Sequence, residues 1–372
     1  MTPGIDPDFN RLAALIWTHP AIDRVRDSAE MPVYLVGGAI RDGLADFEVD
    51  DVDLVVEGDP VPLALSLDPE ARVNERFGTV NLHVDGSPVD LATARTETYA
   101  RPGALPEVYP GTLEDDLIRR DFTINAMAMC VDRESELIDP FGGIADLRSG
   151  VLRVLHDRSF EDDPTRALRA ARYAARFGFD LEPKTAELML GVNLGAVSSD
   201  RVENELRLIA GEDNSLEALR LARVWGLVDF DEERLDLAER AVELAEIEPW
   251  RGEAPREALI LEAVFGALTG TVELLDEPAN PWEGYRSARG HSPLELLLAR
   301  ARGAEWLDQW QEKWRWVELE ITGADLLAAG VPEGPEIGTA LDSALEAKLN
   351  GGLSGAEAEL KVALEAAGVS RP

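Results

Sequence analysis

The spacing of apolar positions changes character along the chain. Between Val33 and about Pro140, short β-branched runs alternate with turns; beyond about Leu147, Ala- and Leu-rich segments recur at helical spacing to the end. Ahead of both, Leu12, Leu15, Ile16, Ile22 and Val25 trace an amphipathic stripe over residues 5–30, which predicts a helical lead-in. Strands are expected at Val33–Val36, 51–56, Thr79–Val84, 88–92 and 136–139, where alternation and β-branching coincide. Helices are expected at 39–44, at 62–67 with proline in its first turn, and at 122–130. The stretch 101–115, with Pro102, Gly103, Pro106, Pro110 and Gly111, predicts a loop. Later, helical periodicity is clearest over Thr165–Phe177 and 201–210. The expected organisation is a lead-in (1–30), a mixed α/β head (31–146), and a helical neck (147–211), body (212–280) and tail (281–372). No fixed-period repeat is present.

Three patterns in this frame carry chemistry. Asp51-Val52-Asp53 opens a strand, just after the turn Gly37-Gly38-Ala39-Ile40-Arg41-Asp42. Residues i and i+2 of a strand share a face, so both carboxylates can reach one hard cation while Val52 and Leu54 pack beneath; a solvated acidic edge is the alternative. Arg119-Arg120-Asp121 leads into Asn125. Guanidinium forks suit phosphate oxygens, and Asp121 and Asn125, four apart on the expected helix, can bind sugar hydroxyls. A helix-start acid beside a surface arginine pair fits as well. Third, Asp162-Asp163-Pro164-Thr165-Arg166 begins a helix with Pro164 in its first turn and Asp163 as its cap. Arg166, Arg169, Arg172 and Arg176 then fall within a sector of roughly 120° on that helix, a one-sign stripe suited to an anion.

Charge complicates the picture. With 72 acidic against 36 basic residues, the net charge of −36 repels nucleic acid at long range. An RNA partner then requires arginine concentrated at the binding face or a medium salty enough to screen the rest. Basic residues are nearly all arginine; lysine occurs only at Lys184, Lys313, Lys348 and Lys361. The 45% hydrophobic and 29% charged content is that of a globular protein. No apolar run approaches a membrane span and no signal-peptide pattern opens the chain, so a cytoplasmic location is expected. A single cysteine, Cys130, leaves no internal disulfide, and Cys/His metal-ligand spacing is absent.

In order along the chain, these motifs resemble the class II tRNA nucleotidyltransferase family, which comprises CCA-adding enzymes, CC- and A-adding relatives and bacterial poly(A) polymerases. Asp139-Pro140-Phe141-Gly142-Gly143 with Asp146-Leu147 is similar to that family's hinge motif, and Ser199-Asp200-Arg201-Val202 with Glu205-Leu206 to its last motif. Weaker echoes follow at Ile321-Thr322-Gly323 and Gly334-Pro335. The resemblance implies an α+β fold: a polymerase-β-like head with a small mixed sheet, then an all-helical neck, body and tail. It implies template-independent addition of CMP and AMP, from CTP and ATP, to a tRNA 3′ end. Asp51 and Asp53 would hold two Mg²⁺ ions, with Asp90 as a possible third ligand. Gly38, Arg41 and Arg120 would serve the phosphates, and Asp121 and Asn125 the ribose. Asp163 and Arg166 would act as a protein template for the base, with Arg169 and Arg172 completing the nucleotide site. A carboxylate takes the amino group of cytosine or adenine and a guanidinium fills the adjacent acceptor; uracil and guanine leave a carbonyl facing the carboxylate. Arg201 and Arg207, and by location Arg220 and Arg223, are the expected RNA contacts. CCA-adding members usually carry Glu-Asp where this chain has Asp162-Asp163, and the stretch 96–115 stands where A addition requires a flexible loop. The alternatives are an A-adding or CC-adding specialist, a poly(A) polymerase, or, remotely, an inactive RNA-binding protein. Oligomeric state is not encoded in these patterns.

Overall fold

A computed structural model describes residues 5–49, 52–75, 78–132, 137–266 and 274–369. The chain divides into two compact units, Met1–Asp229 and Phe230–Pro372.

The first unit is organised by one mixed sheet. Its strands are β1 (Val33–Val36), β2 (Val52–Val56), β3 (Arg72–Asn74), β4 (Thr79–Val84), β5 (Ser87–Thr93), β8 (Ala128–Cys130) and β9 (Leu137–Ile138), in the order β3-β4-β5-β2-β1-β8-β9. A separate two-stranded ribbon pairs β6 (Arg95–Thr98) with β7 (Glu107–Pro110). Among the described strands of the large sheet only β2 and β5 run parallel, setting Asp53 beside Asp90. The β4–β5 turn is Asp85-Gly86, both at positive φ (51° and 85°), the backbone that a tight hairpin requires.

Alternation along β2 decides which side is which. Val52, Leu54 and Val56 enter the main core, under the helices Phe9–Thr18, Pro20–Ser28, Gly38–Leu44 and Val61–Leu67. Val55 points the other way, into a smaller cluster with Leu113 and Leu117 of the helix Leu113–Ile118. Asp53 shares that second face but lies beyond the cover. The lead-in is two helices rather than one: Pro20 restarts the chain, and Asp8 caps the first through the amides of Asn10 (3.0 Å) and Arg11 (3.1 Å).

Two expectations are corrected. The helix expected at 122–130 is a single 3₁₀ turn, Thr123–Asn125, followed by β8. Residues 122–129 are buried on every side, so no amphipathic stripe existed to distinguish helix from interior strand. The loop expected at 101–115 contains β7 and the start of the Leu113–Ile118 helix, which Thr112 and Asp115 open with a capping box. The strand expected at 51–56 is found as β2 and that at 136–139 as β9; Asp51 and Glu136 lie outside the described residues.

The rest of the first unit is helical, apart from a two-residue parallel pairing of Val151–Leu152 with Asp180–Leu181. Gly143 marks a close approach: a Cβ there would overlap the carbonyl oxygen of Thr123. Asp139 caps the helix Gly143–Ser149 through the amides of Gly143 (2.7 Å) and Ile144 (3.0 Å), and Asp146 accepts from Thr123 Oγ1 (2.6 Å) and Arg153 Nε (3.0 Å).

The second unit is all-helical as described, from Glu232–Ala245 to Ala356–Ala366. Arg234 Nη1 donates to the carbonyls of Ala263 (3.3 Å), Val264 (3.1 Å) and Gly266 (2.9 Å), closing the end of the helix Arg256–Phe265. Its last helices enclose a core of Ile321, Leu326, Val331, Ala340, Ala344, Ala363 and Leu364. Among the described residues no helix is long and apolar enough to cross a membrane.

Candidate active site

A cavity of about 500 Å³ in the first unit gathers Gly37, Gly38, Arg41, Asp53, Arg119, Arg120, Asp121, Asn125, Asp163, Arg166, Arg169 and Arg201. Six arginines and four carboxylates (Asp53, Glu97, Asp121 and Asp163) line it, a local excess of two positive charges in a chain of −36. That local excess supplies the arginine concentration that an anionic ligand requires.

The Gly37–Gly38 turn forms one wall. Gly37 has φ 69° and ψ −131°, a backbone open to glycine and costly to other residues. A Cβ there would stand 2.5 Å from Arg120 Nη1, so the guanidinium lies directly on the turn. Asp53 stands on the polar face of β2, in register with Asp90 of β5. Asp90 is exposed, accepts from Asn81 Nδ2 (2.5 Å) and does not line the cavity. Asp51 lies outside the described residues.

Arg41, expected to face phosphates, is 4% exposed and committed elsewhere. It lies 5.0 Å from the Tyr173 ring and 5.1 Å from that of Phe177, and forks onto Asp42 through Nε (2.8 Å) and Nη2 (2.7 Å). Its Nη1 donates to Asn125 Oδ1 (2.6 Å), which leaves Asn125 Nδ2 to donate to Asp121 Oδ1 (2.8 Å). Asp121 and Asn125 thus meet as expected, although a 3₁₀ turn and not an α-helix brings them together. Burial would raise Asp121, but Arg169, the Asn125 amide and Arg166 hold it below the usual carboxylate range.

The third motif begins the helix Thr165–Phe177. Asp163 caps it through Thr165 N (3.0 Å) and Oγ1 (2.6 Å). Its Oδ1 also accepts from Arg201 Nη2 (2.8 Å), and its Oδ2 from Arg169 Nη2 (2.8 Å). These cations outweigh burial and lower its pKa. Arg166 is buried, donating from Nη1 to Ser159 Oγ (2.7 Å) and from Nη2 to the Arg119 carbonyl (2.6 Å). Its remaining N–H groups are those available to a base.

The arginine stripe does not act as one surface. Arg172 faces Glu212 (3.1 Å), and Arg176 lies near Asp42 (3.6 Å) and Glu212 (3.9 Å); neither lines the cavity. Arg201, expected on an RNA face, sits in the cavity wall and also donates to the Gly103 carbonyl (3.1 Å). Arg207 pairs with Glu203 (3.4 Å) and Arg220 with Glu217 (2.7 Å) on exposed helix surfaces.

Sequence reasoning passed over Glu97, Tyr99 and Tyr173 in the wall. Glu97 accepts from Arg119 Nη1 (2.9 Å), Arg95 Nε (3.2 Å) and Tyr99 Oη (2.7 Å), and burial raises the Tyr99 phenol. Glu97 lies on β6 and Tyr99 two residues further on, just past its end, and that i, i+2 spacing is the signal the sequence offers. Glu205, on the helix Ser199–Ala210, lies 3.6 Å from Arg169 Nε, and burial raises its pKa despite that neighbour.

The Poly A polymerase head domain matches residues 33–153. The chain is 32% identical to the CC-adding tRNA nucleotidyltransferase of Deinococcus radiodurans, over 90% of its own length and 89% of that protein's. It belongs to the tRNA nucleotidyltransferase family. It is 48% identical to the A-adding tRNA nucleotidyltransferase of Aquifex aeolicus over 53% of this chain, but spans 25% of that enzyme and about half of other A-adding members. The solved Thermotoga maritima CCA-adding enzyme complexed with tRNA_CCA superposes with a TM-score of 0.76 at 27% identity, covering 96% of this chain and 98% of that one. The fold is therefore that of the family: a polymerase-β-like head followed by helices. Members generally use a divalent metal.

Proposed function

We propose that the chain adds CMP and AMP, from CTP and ATP, to the 3′ end of tRNA and so builds or repairs the CCA terminus in the cytoplasm. The observation that carries this is the sharing of one cavity by the glycine turn, Asp53 and the Asp163–Arg166 pair. A reaction centre and a base-reading pair then face the same small volume. Similar CCA-adding enzymes have been solved with ATP and with CTP.

In this reading Arg120 and the exposed backbone of Gly37 and Gly38 hold the triphosphate. Asp121 and Asn125 take the ribose hydroxyls, with Arg41 fixing which end of the Asn125 amide faces Asp121. Asp163 Oδ2 accepts the base amino group and Arg166 donates to the neighbouring ring acceptor. A buried acceptor left unpaired costs about 1–3 kcal/mol, so UTP and GTP, which present a carbonyl to the carboxylate, are rejected by roughly tenfold or more. Asp53 with Asp51 is the proposed ligand set for Mg²⁺. A carboxylate on a polar strand face, at the edge of an arginine-rich cavity, has the oxygen chemistry a hard cation takes. An ion held there would supply the charge that acidifies the RNA 3′-hydroxyl and neutralises the triphosphate. Asp90, in register with Asp53 on the neighbouring strand, is assigned as its further ligand. We assign the lead-in, head and neck to residues 1–30, 31–146 and 147–211, and tRNA binding to the body and tail (212–280 and 281–372).

Extension of three tRNA transcripts, lacking CCA, ending in CC, or mature, tests the reading with Mg²⁺ and CTP, ATP or both. Additions of C, C and A followed by arrest are expected. A single A on the CC-ended transcript with nothing from CTP makes the chain an A-adding specialist, a stop at CC a CC-adding one, and no product overturns the assignment.

A further inference from the structure

Asp116 is a fully buried carboxylate beneath the cavity, to which the motifs assign no role. It is carried by the helix Leu113–Ile118, whose Leu113 and Leu117 seal the second face of the sheet. Its Oδ1 accepts from Arg119 Nε (3.0 Å) and Nη2 (2.6 Å), and its Oδ2 from Arg120 Nη2 (2.9 Å). One acid therefore binds both members of the arginine pair. The two arginines are not equivalent. Arg119 has a second carboxylate, Glu97, at 2.9 Å, and its charge is matched. Arg120 has one shared oxygen; its Nε is buried with no hydrogen-bond partner, and its Nη1 lies on Gly37. Burial works against the Asp116 carboxylate, yet Arg120 and Arg119 hold its pKa below the ordinary value.

We infer that Asp116 is the positioning residue of the triphosphate subsite, locking Arg120 over the Gly37–Gly38 turn with unspent N–H groups toward the cavity. The inference rests on the proposed nucleotide chemistry, since it presumes a polyphosphate ligand. Arg120 touches the phosphates and Asp116 acts through it. A carboxamide in its place keeps the shape but removes the charge that restrains two adjacent guanidinium groups, so Arg120 leaves the turn. Neutral parts of the nucleotide are untouched by that change.

The test uses the full chain and calorimetric titration of CTP, inorganic tripolyphosphate and cytidine into wild type, Asp116→Asn, Arg120→Ala and the double variant. Asp116→Asn is expected to weaken CTP and tripolyphosphate at least tenfold and cytidine less than twofold. The double variant should bind within twofold of Arg120→Ala alone. Loss of cytidine equal to that of CTP, unchanged CTP affinity, or losses that multiply would each overturn the inference. Asp116→Glu guards against misfolding, because it keeps the charge but displaces it by one methylene. It should raise KM for CTP three- to tenfold with kcat within twofold, and failure of both variants to fold would make Asp116 a folding element instead. A wild-type protein that binds tripolyphosphate but transfers no nucleotide would end the proposed reaction while leaving the role of Asp116 measurable.

Discussion

Gly103 offers the sharpest separation of local from global stability. It sits between β6 and β7 with φ +68°, and a Cβ there would stand 2.6 Å from the Ala196 carbonyl oxygen and 2.8 Å from its carbon. Those are backbone atoms, so relief requires Gly103 itself to move. Its amide donates to the Glu161 carbonyl (3.1 Å) and its carbonyl accepts from Arg201 (3.1 Å). Gly103→Ala loses both when the ribbon tip lifts: about 1 kcal/mol for the neutral bond and about 1.5–3 kcal/mol for the charged one. Backbone strain in the left-handed region adds about 1–2 kcal/mol if the tip stays docked. Those bonds resist lifting, whereas the docked variant carries the strain plus about 1–3 kcal/mol of overlap with the Ala196 carbonyl; together these come to roughly 3 kcal/mol, about a hundredfold in the docking equilibrium. Neither hydrophobic cluster of this unit includes the tip, so local opening need not unfold the rest. Hydrogen exchange should show about a hundredfold loss of protection at Gly103, with the main thermal transition shifted by only a few degrees. Unchanged exchange at the tip would refute the docking argument. A collapse of the whole transition would refute its locality.

Other expectations follow from the same geometry. Gly143→Ala drives a methyl into the Thr123 carbonyl and Met127, and should cost at least about 1–3 kcal/mol by overpacking, read as a lower urea midpoint for the first unit. Arg234→Ala uncovers three carbonyls at the end of Arg256–Phe265 and should destabilise the second unit by about 1–2 kcal/mol, checked by the same titration. Burial raises Asp116, Asp121 and Asp163, but their arginine partners lower all three below the ordinary 3.8. Their stabilisation is present above that unfolded-state value and is lost as pH falls through the folded ones. Acid titration followed by circular dichroism should show loss of structure below about pH 4, less steeply in Asp163→Asn; an equally steep profile would refute the assignment. Arg41→Lys loses the Nη1 bond that orients Asn125 and should narrow the preference for CTP over dCTP, measured as a ratio of kcat/KM values.

Much of the head could be read from local pattern. β1 and β4 alternate or carry β-branched residues and lie where expected, and the helix Thr165–Phe177 begins and ends at the residues its periodicity indicates. Its start is legible because Asp163-Pro164 carries both a cap and a proline, and its end because Gly178 turns left-handed at φ 68°. The failures have different causes: burial on all sides over 122–129 removes the contrast that periodicity reads, whereas β7 is short, mostly exposed and ends in proline, which disguised it as loop. The arginine stripe was visible, but its partners were not. Glu212 is 40 residues from Arg172, and only folding reveals that it neutralises the stripe's far end. The same holds for Arg201, whose place in the cavity depends on Asp163, 38 residues away. Asp116 was hidden in an ordinary acidic first turn.

The parallel pairing of β2 with β5 also limits how this chain can vary in length. A one-residue slip of β2 would exchange Asp53 for its apolar neighbours and press a carboxylate into the main core, at a cost of several kcal/mol. Insertions in the connection before β2 are thus filtered by the hydrophobic pattern itself: a longer turn can be absorbed only if Val52, Leu54 and Val56 keep their side. Greasy residues with no part in the chemistry keep the acidic one in register, and lineages that lengthen this connection should do so without touching the strand.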